Sequence, residues 1–161
     1  INGLIAIIMM GSRTGRFDGS GQKSGFQPTS PTTVIFGLFM LWWGWIGFNC
    51  GSTFGITGDK WVVALCAAIT TVNSTAGGGF TAIIYSLART KGRFVTVDDL
   101  VEGILGSLVS SSSTCPIIHT YDAFIIEAFK SLVAILGNHL MICLKLDEPV
   151  GNVGVHSVSS I

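Results

Sequence analysis

Charge is scarce in this sequence. Only 11% of its 161 residues are charged, whereas a soluble domain carries about 25%. Hydrophobic residues make up 48% of the chain, and the mean hydropathy is +0.63. A chain of this length with so few polar side chains cannot cover the surface of a soluble domain, so we expect a membrane protein.

An excess of either sign of charge is also missing. Nine Lys and Arg residues balance nine Asp and Glu residues, so the formal net charge is zero. The basic residues are scattered in short segments and do not form a basic face. We therefore expect no nucleic-acid partner.

The four cysteines form no CxxC pair, which argues against a structural zinc site and against a disulfide framework. Three of them lie within apolar runs and the other ends such a run, so we interpret them as small buried side chains rather than reactive thiols. No metal and no other cofactor is expected. The cysteines are Cys50, Cys66, Cys115 and Cys143.

An initiator Met and a charged leader are absent as well, and the sequence starts inside an apolar run, Ile1 to Gly11. We interpret this start as an internal position in a longer chain and not as a signal peptide.

Long apolar stretches dominate what is present. About 20 mostly apolar residues are needed to cross roughly 30 Å of hydrocarbon as a helix. Four stretches come near or reach this length, and two shorter ones flank them. We predict an all-α, polytopic transmembrane helix bundle with four whole and two partial spans. The whole spans are 33–56, 61–88, 101–118 and 121–144, and the partial spans are 1–11 and 150–161.

The span 101–118 is polar for a lipid-facing helix, because it contains a run of serines before Pro116. We expect it to face other helices. Small residues also recur at three places, where they would let helix backbones approach closely in lipid. These are Gly77, Gly78 and Gly79; Gly103 and Gly106; and Gly44, Gly47 and Gly51. The stretch 12–32, rich in Gly, Ser and basic residues, is predicted to be a polar connector.

Basic residues alternate between the loops that these spans define. Three precede the first whole span, one lies in the next loop, three follow the second span, and none lies between 116 and 120. By the positive-inside rule, this pattern predicts that the loops 12–32, 89–100 and 145–149 are cytoplasmic.

One aromatic stretch, residues 41–52, offers candidate functional side chains. Its tryptophans are consistent with an interfacial belt. Phe48 and Ser52, however, fall at i and i+4 and share one helix face. An aromatic ring and a hydroxyl oxygen together can receive a small cation. We therefore predict that Phe48 and Ser52 line a substrate pathway, with Trp45 and Asn49 adjacent to it.

His156 lies just inside the last apolar segment. Ionisable residues inside a membrane are costly and are candidates for function. The alternative is a structural histidine that a neighbouring helix satisfies. His119 and His139 lie at a loop and near a helix end, where an interfacial position is expected.

The segment 121–144 carries Asp122, Glu127 and Lys130. Glu127 and Lys130 are three residues apart and can pair on one helix face. An internal ion pair or contacts between subunits are favoured over a second ion site.

Five motifs in this order resemble the ammonium transporter family, the superfamily of Amt, MEP and Rh proteins. They extend over nearly the whole chain. The motifs are residues 10–17, WGWIGFNCGS at 43–52, VNSTAGG at 72–78, residues 100–109, and LDEPV at 146–150 leading into GVH at 154–156.

This resemblance implies an eleven-helix channel of two inverted repeats, assembled as a homotrimer with one pore in each subunit. The chain would cover the end of the fifth helix to the start of the tenth. The resemblance implies that Phe48 is the outer gate, that Ser52 recruits ammonium, and that His156 is the second histidine of a pair relaying protons. Ammonium or ammonia would be the substrate of an integral protein expected in the plasma membrane.

The chain departs from the family pattern at several positions. The partner histidine of the family lies just before the position of Asn2 and is absent. Residues 157–160 are Ser, Val, Ser and Ser where the family has a run of small residues, and Gly151 replaces an acidic residue.

Two alternative functions are considered. The first is an ammonium sensor or non-conducting scaffold of the same fold. The second is an intramembrane hydrolase, in which Ser52 and His156 would be nucleophile and base, about 2.6–3.2 Å apart. We expect a transporter and not an enzyme.

Overall fold

A computed structural model describes residues 2–17, 30–149 and 151–158, with side chains up to 156 in the last range. Within these residues the chain forms helices and no strand, which confirms the all-α prediction. The helices are α1 (Asn2–Met10), α2 (Pro31–Gly51), α3 (Lys60–Arg89), α4 (Val97–Thr114), α5 (Thr120–Cys143) and a π-helical segment (Val153–Val158). We call the last of these the π segment.

The helices overlap the predicted spans, and α2, α3 and α5 are long and apolar enough to cross a membrane. The predicted span 33–56 extends beyond α2, which ends at Gly51. In the turn that follows, Phe54 and Gly55 adopt positive φ angles of 55° and 153°. Predictions for Ile1, Val150 and residues 18–29 and 159–161 lie outside the described residues. The orientation of the loops stays a prediction.

Helix α3 is the centre of the fold and packs against α2, α4 and α5. Small residues allow the close approach. A Cβ at Gly77 would lie 2.4 Å from the carbonyl oxygen of Phe124 in α5. A Cβ at Gly78 would lie 2.3 Å from Ser107 Oγ in α4. The predicted role of these glycines in helix packing is thus confirmed.

The glycines of α2 are different. A Cβ at Gly44, Gly47 or Gly51 would meet no atom within 4 Å. No other helix of the described residues packs on these glycines, so their role in seating a helix stays a prediction. Instead, α2 presents large exposed apolar side chains such as Phe36 and Trp43.

The side of helix α4 that carries serine hydroxyls faces the other helices and is buried, as predicted from its composition. Ser107, Ser110 and Ser111 have no exposed surface. Two of these hydroxyls donate to backbone carbonyls one turn earlier, Ser107 to Ile104 and Ser111 to Leu108, both at 2.8 Å. Local hydrogen bonds of this kind satisfy serine inside a helix bundle.

An ionic cluster fastens the segment after α1 to the segment after α5. Arg13 donates to Asp147 from its backbone N at 3.0 Å, from Nε at 2.6 Å and from an Nη at 2.9 Å. Arg16 Nε lies 3.2 Å from Oδ1 of the same carboxylate. The hydrogen bonds from Arg13 lower the pKa of Asp147 to about 2. Residues more than 130 positions apart in sequence are thus joined at one end of the bundle.

Candidate functional site

A cleft of about 320 Å³ opens where α2 ends, α3 begins and α4 ends. Two of the predicted pathway residues, Asn49 and Ser52, belong to its wall. The lining residues are Asn49, Ser52, Thr53, Lys60, Val63, Ser112, Cys115 and Pro116. The cleft is therefore lined by amide, hydroxyl and ammonium groups together with apolar side chains.

Phe48 lies one turn before Ser52, and its side chain is 61% exposed. Its ring meets the Trp45 ring edge to face, with centroids 6.2 Å apart. Trp45 in turn is held by a hydrogen bond of 2.8 Å from its Nε1 to Ser112 Oγ of α4. Trp45 thus ties α2 to α4 and supports the ring of Phe48.

Asn49 and Ser52 have different environments within the cleft. Asn49 is 3% exposed and donates through Nδ2 to Thr71 Oγ1 at 2.8 Å. Ser52 is exposed, and its hydroxyl donates to the Phe48 carbonyl at 2.7 Å. Because the proton of Ser52 is engaged, the lone pairs of its oxygen are available to accept a hydrogen bond.

Lys60 is a residue that sequence reasoning did not assign to the site. Its Nζ donates to the Phe54 carbonyl at 3.2 Å, and its side chain lies against Gly55. This places a cation in the wall that contains Ser52. Its sequence signal is a lone basic residue after a Gly-containing turn, and such a residue indicates loop orientation more directly than a site.

His156 lies in the π segment, away from the cleft. Its side chain is exposed, and this segment packs against α4 and α5. Close packing fixes the segment, because a Cβ at Gly154 would lie 3.0 Å from the Ala134 carbonyl oxygen. Gly151 precedes it with φ of 66°, a conformation that favours glycine and accounts for glycine at this position.

Glu148 caps the π segment by accepting a hydrogen bond from the backbone N–H of Val153. Burial raises the pKa of Glu148, while the backbone N–H groups of Asn152 and Val153 oppose this rise. An acidic side chain at the start of a helical segment is favourable for the exposed backbone N–H groups there. Glu148 therefore positions the backbone that carries His156.

The structure does not bring Ser52 and His156 together. The Ser52 hydroxyl binds the Phe48 carbonyl, and in the described part of the chain no hydrogen bond joins it to His156. The nucleophile and base geometry that a Ser/His hydrolase requires is not present within these residues.

The family assignment follows from comparison with known proteins. The sequence profile of the Ammonium Transporter Family matches residues 1–161. The chain belongs to this family.

The family match agrees with individual relatives. The chain is 40% identical over 161 residues to "Putative ammonium transporter 3" of Caenorhabditis elegans. The aligned region covers 100% of this chain and 23% of that protein. A solved structure titled "Sensor Amt Protein" superposes with a TM-score of 0.89 at 27% identity, covering 96% of this chain and 37% of that one. Mep2 of Saccharomyces cerevisiae gives 0.73 at 27% identity, covering 81% and 30%. The chain thus spans only 23% to 37% of the length of these proteins.

The family is one of membrane transporters, and the apolar composition of the helices agrees with a membrane setting.

Two other predictions from the sequence need correction. Cys66 and Cys143 are exposed in this structure, whereas Cys115 is buried and Cys50 partly buried. The ion pair expected between Glu127 and Lys130 is not formed, and Glu127 is instead enclosed between helices with no exposed surface.

Proposed function

We propose that the full-length protein containing this chain transports ammonium or ammonia across a membrane, and that Phe48 and Ser52 form the outer entrance. The observation that carries this proposal is the cleft at the end of α2. Ser52 lines this cleft, and the exposed ring of Phe48 lies one helical turn before Ser52, in a chain of the ammonium transporter family.

The chemistry of this entrance suits a small hydrogen-bonding cation. Ammonium gives up water on leaving bulk solvent, so the site must replace those hydrogen bonds. Ser52 offers acceptor lone pairs because its proton is bound to a carbonyl. The face of Phe48 attracts a cation through its quadrupole.

His156 is proposed as one half of a proton relay deeper in the pathway. A full charge is costly in an apolar constriction, so deprotonation of ammonium with separate transfer of the proton is favoured there. A neutral imidazole can accept and pass on a proton. The side chain of His156 is exposed. It is therefore accessible to helices outside this chain and to the partner histidine that the family has just before the position of Asn2. Assembly as a homotrimer in the plasma membrane belongs to the same proposal, as does the absence of enzymatic activity.

Uptake of radiolabelled methylammonium by cells expressing the full-length protein tests the entrance. Ser52→Ala removes one hydrogen-bond acceptor, and we expect the apparent affinity to fall about tenfold, the equivalent of one hydrogen bond to a charged group. Ser113→Ala, at an exposed hydroxyl of α4 outside the cleft, is the matched control and should leave uptake unchanged. Equal uptake by Ser52→Ala and the parent would contradict the role of Ser52.

Replacement of His156 tests the relay. We expect His156→Leu to block uptake or to uncouple it from proton movement, because leucine cannot bind a proton. The measurement is uptake and current between pH 5 and 8, the range over which an unperturbed histidine titrates. A variant whose transport and pH profile match those of the parent would rule out the relay.

A second candidate function is ammonium sensing. It is favoured by the similarity in structure to the protein titled "Sensor Amt Protein" over 96% of this chain. A sensor would bind ammonium at the Ser52 cleft without passing it on. Ammonium-dependent binding in purified protein, together with no methylammonium flux in proteoliposomes, would favour sensing over transport.

A further inference from the structure

A buried carboxyl group in the middle of the bundle is unrelated to the cleft and to His156. Glu127 lies on α5, seven residues after the helix begins, which places it on the order of 10 Å along the helix axis. Its exposed fraction is 0%. Because this enclosure is complete within the described residues, it does not depend on helices or subunits outside them.

Among the described residues, the carboxyl group of Glu127 has no ion-pair partner. Neither Lys130 on its own helix nor any other basic group forms an ion pair with it in the described part of the chain. An unpaired carboxylate enclosed in a helix bundle is strongly unfavourable, and such a group is stable when it is neutral or binds a cation. The α5 helix is one of those apolar enough to cross a membrane, which increases this cost.

The two oxygens of Glu127 differ in their hydrogen bonds. Thr114 Oγ1 of α4 donates to Oε1 at 3.1 Å. Oε2 has no hydrogen-bond partner and is buried. Ser110, also on α4, is next to this carboxyl group, and its Oγ is likewise buried without a partner. A hydrogen bond donated by the Ser110 hydroxyl would satisfy Oε2 of the ionised group but leave its charge unpaired, whereas a proton on Oε2 satisfies both atoms and removes the charge.

The space around the group decides between a proton and a larger cation. A residue with no exposed surface touches no position where a sphere of the size of water could fit. An ammonium ion, which is about as large as water, therefore has no room beside Glu127, whereas a proton needs none. Among the described residues no cluster of metal-ligating side chains surrounds it either. We propose that Glu127 is a proton-binding site of the helix core, neutral at physiological pH, with its proton on Oε2 facing Ser110.

The surrounding helices supply little charge that could change this state. Lys130 on α5 interacts electrostatically with Glu127, and so does the thiol of Cys115, which directly follows α4. Helix α3, which packs on both α4 and α5, has the uncharged residues Thr70 and Ser74 among its buried side chains. The π segment also packs on α5, but its titratable residue His156 is exposed.

Infrared spectroscopy of the full-length protein at pH 7 tests the proposal. A protonated carboxyl group gives a C=O stretching band that shifts on exchange into deuterated buffer. We expect this band in the parent, its loss in Glu127→Gln, and its retention in Asp122→Asn, which alters an exposed carboxylate of the same helix. A band of equal intensity in Glu127→Gln and the parent would overturn the proposal. The readout does not involve transport, so it stands or falls separately from the proposed function.

Two further measurements apply even if Glu127→Gln folds poorly. Ser110→Ala removes the proposed acceptor, and we expect the band to move to higher frequency with unchanged intensity; an unmoved band would contradict the hydrogen bond. Thermal unfolding of the parent should also depend on pH. Above the ordinary titration range of glutamate, the native state keeps a proton that the unfolded state releases, so stability falls as pH rises. The folding equilibrium constant should decrease by up to about tenfold per pH unit. This pH dependence should be missing in Glu127→Gln.

Discussion

At the scale of single residues, the site depends on how each polar atom is used. Asn49 is buried and bound to Thr71, so it holds α2 against α3. Ser52 and Phe48 remain exposed and are available to a substrate. Trp45 and Asn49, which the sequence predicts to lie beside the pathway, both form interhelical hydrogen bonds. The residues proposed to bind substrate are therefore supported by neighbours that stabilise the packing.

Phe48→Ala is expected to change substrate selectivity at the entrance more than stability. The ring is 61% exposed, so its removal leaves no internal cavity, but it removes the aromatic face proposed to attract the cation. The ratio of methylammonium to ammonium affinity should change several-fold, with a melting temperature close to that of the parent. Phe36→Ala, at a ring 63% exposed on the same helix, is the control and should affect neither quantity. Loss of the folded protein in Phe48→Ala alone would show that the ring serves packing.

At the scale of helices, glycine has two different uses. On α3, Gly77 and Gly78 lie where another backbone or side chain occupies the space of a Cβ. On α2, Gly44 and Gly47 face open space. The same residue type at similar spacing therefore has opposite consequences for packing, depending on what lies beside it.

Gly78→Ala is expected to destabilise the protein by about 1–3 kcal/mol, the usual cost of overpacking a helix interface. Its Cβ would lie 2.5 Å from Ser107 Cβ and 2.9 Å from the Gly103 carbonyl oxygen, neither of which can rotate away. Gly44→Ala meets no atom of the described residues and should stabilise α2 by roughly 0.5–1 kcal/mol. Melting temperatures of the two purified variants give the comparison. Equal shifts of the melting temperature in the same direction would show that the close α3–α4 contact at Gly78 does not determine the effect on stability.

At the scale of the whole molecule, long-range ionic contacts hold the ends of the bundle together. Asp147 is nearly fully buried at its side chain and binds Arg13, whereas Arg13 itself is about half exposed. The cluster joins the segment after α1 to the segment after α5, and Glu148 next to it caps the π segment. The position of His156 therefore depends on contacts formed by residues far away in sequence.

Asp147→Asn is expected to lower the melting temperature at neutral pH by roughly 2–4 °C, because it weakens the hydrogen bonds from Arg13. The pKa of Asp147 is lowered to about 2 in the folded protein, against about 3.9 in an unfolded chain. Its stabilising contribution is thus fully present above about pH 4 and is lost as pH falls towards 2. The difference in melting temperature between parent and variant should close over that range. Asp122→Asn, at an exposed carboxylate, should show no such difference, and a gap that persists at pH 2 would exclude the ionic contact as its cause.

The sequence by itself determined the class of the protein, because low charge and long apolar stretches allow little else than membrane helices. It also placed the polar side of α4 inside the bundle, since a run of serines is unfavourable towards lipid. Tertiary structure alone decided the position of Lys60 in the cleft wall and the enclosure of Glu127. Each of these depends on atoms brought close by other helices. The spacing of Glu127 and Lys130 permitted an ion pair, but packing turned the carboxyl group towards Thr114 and Ser110, because the direction of a side chain is set by its neighbours across the helix interface.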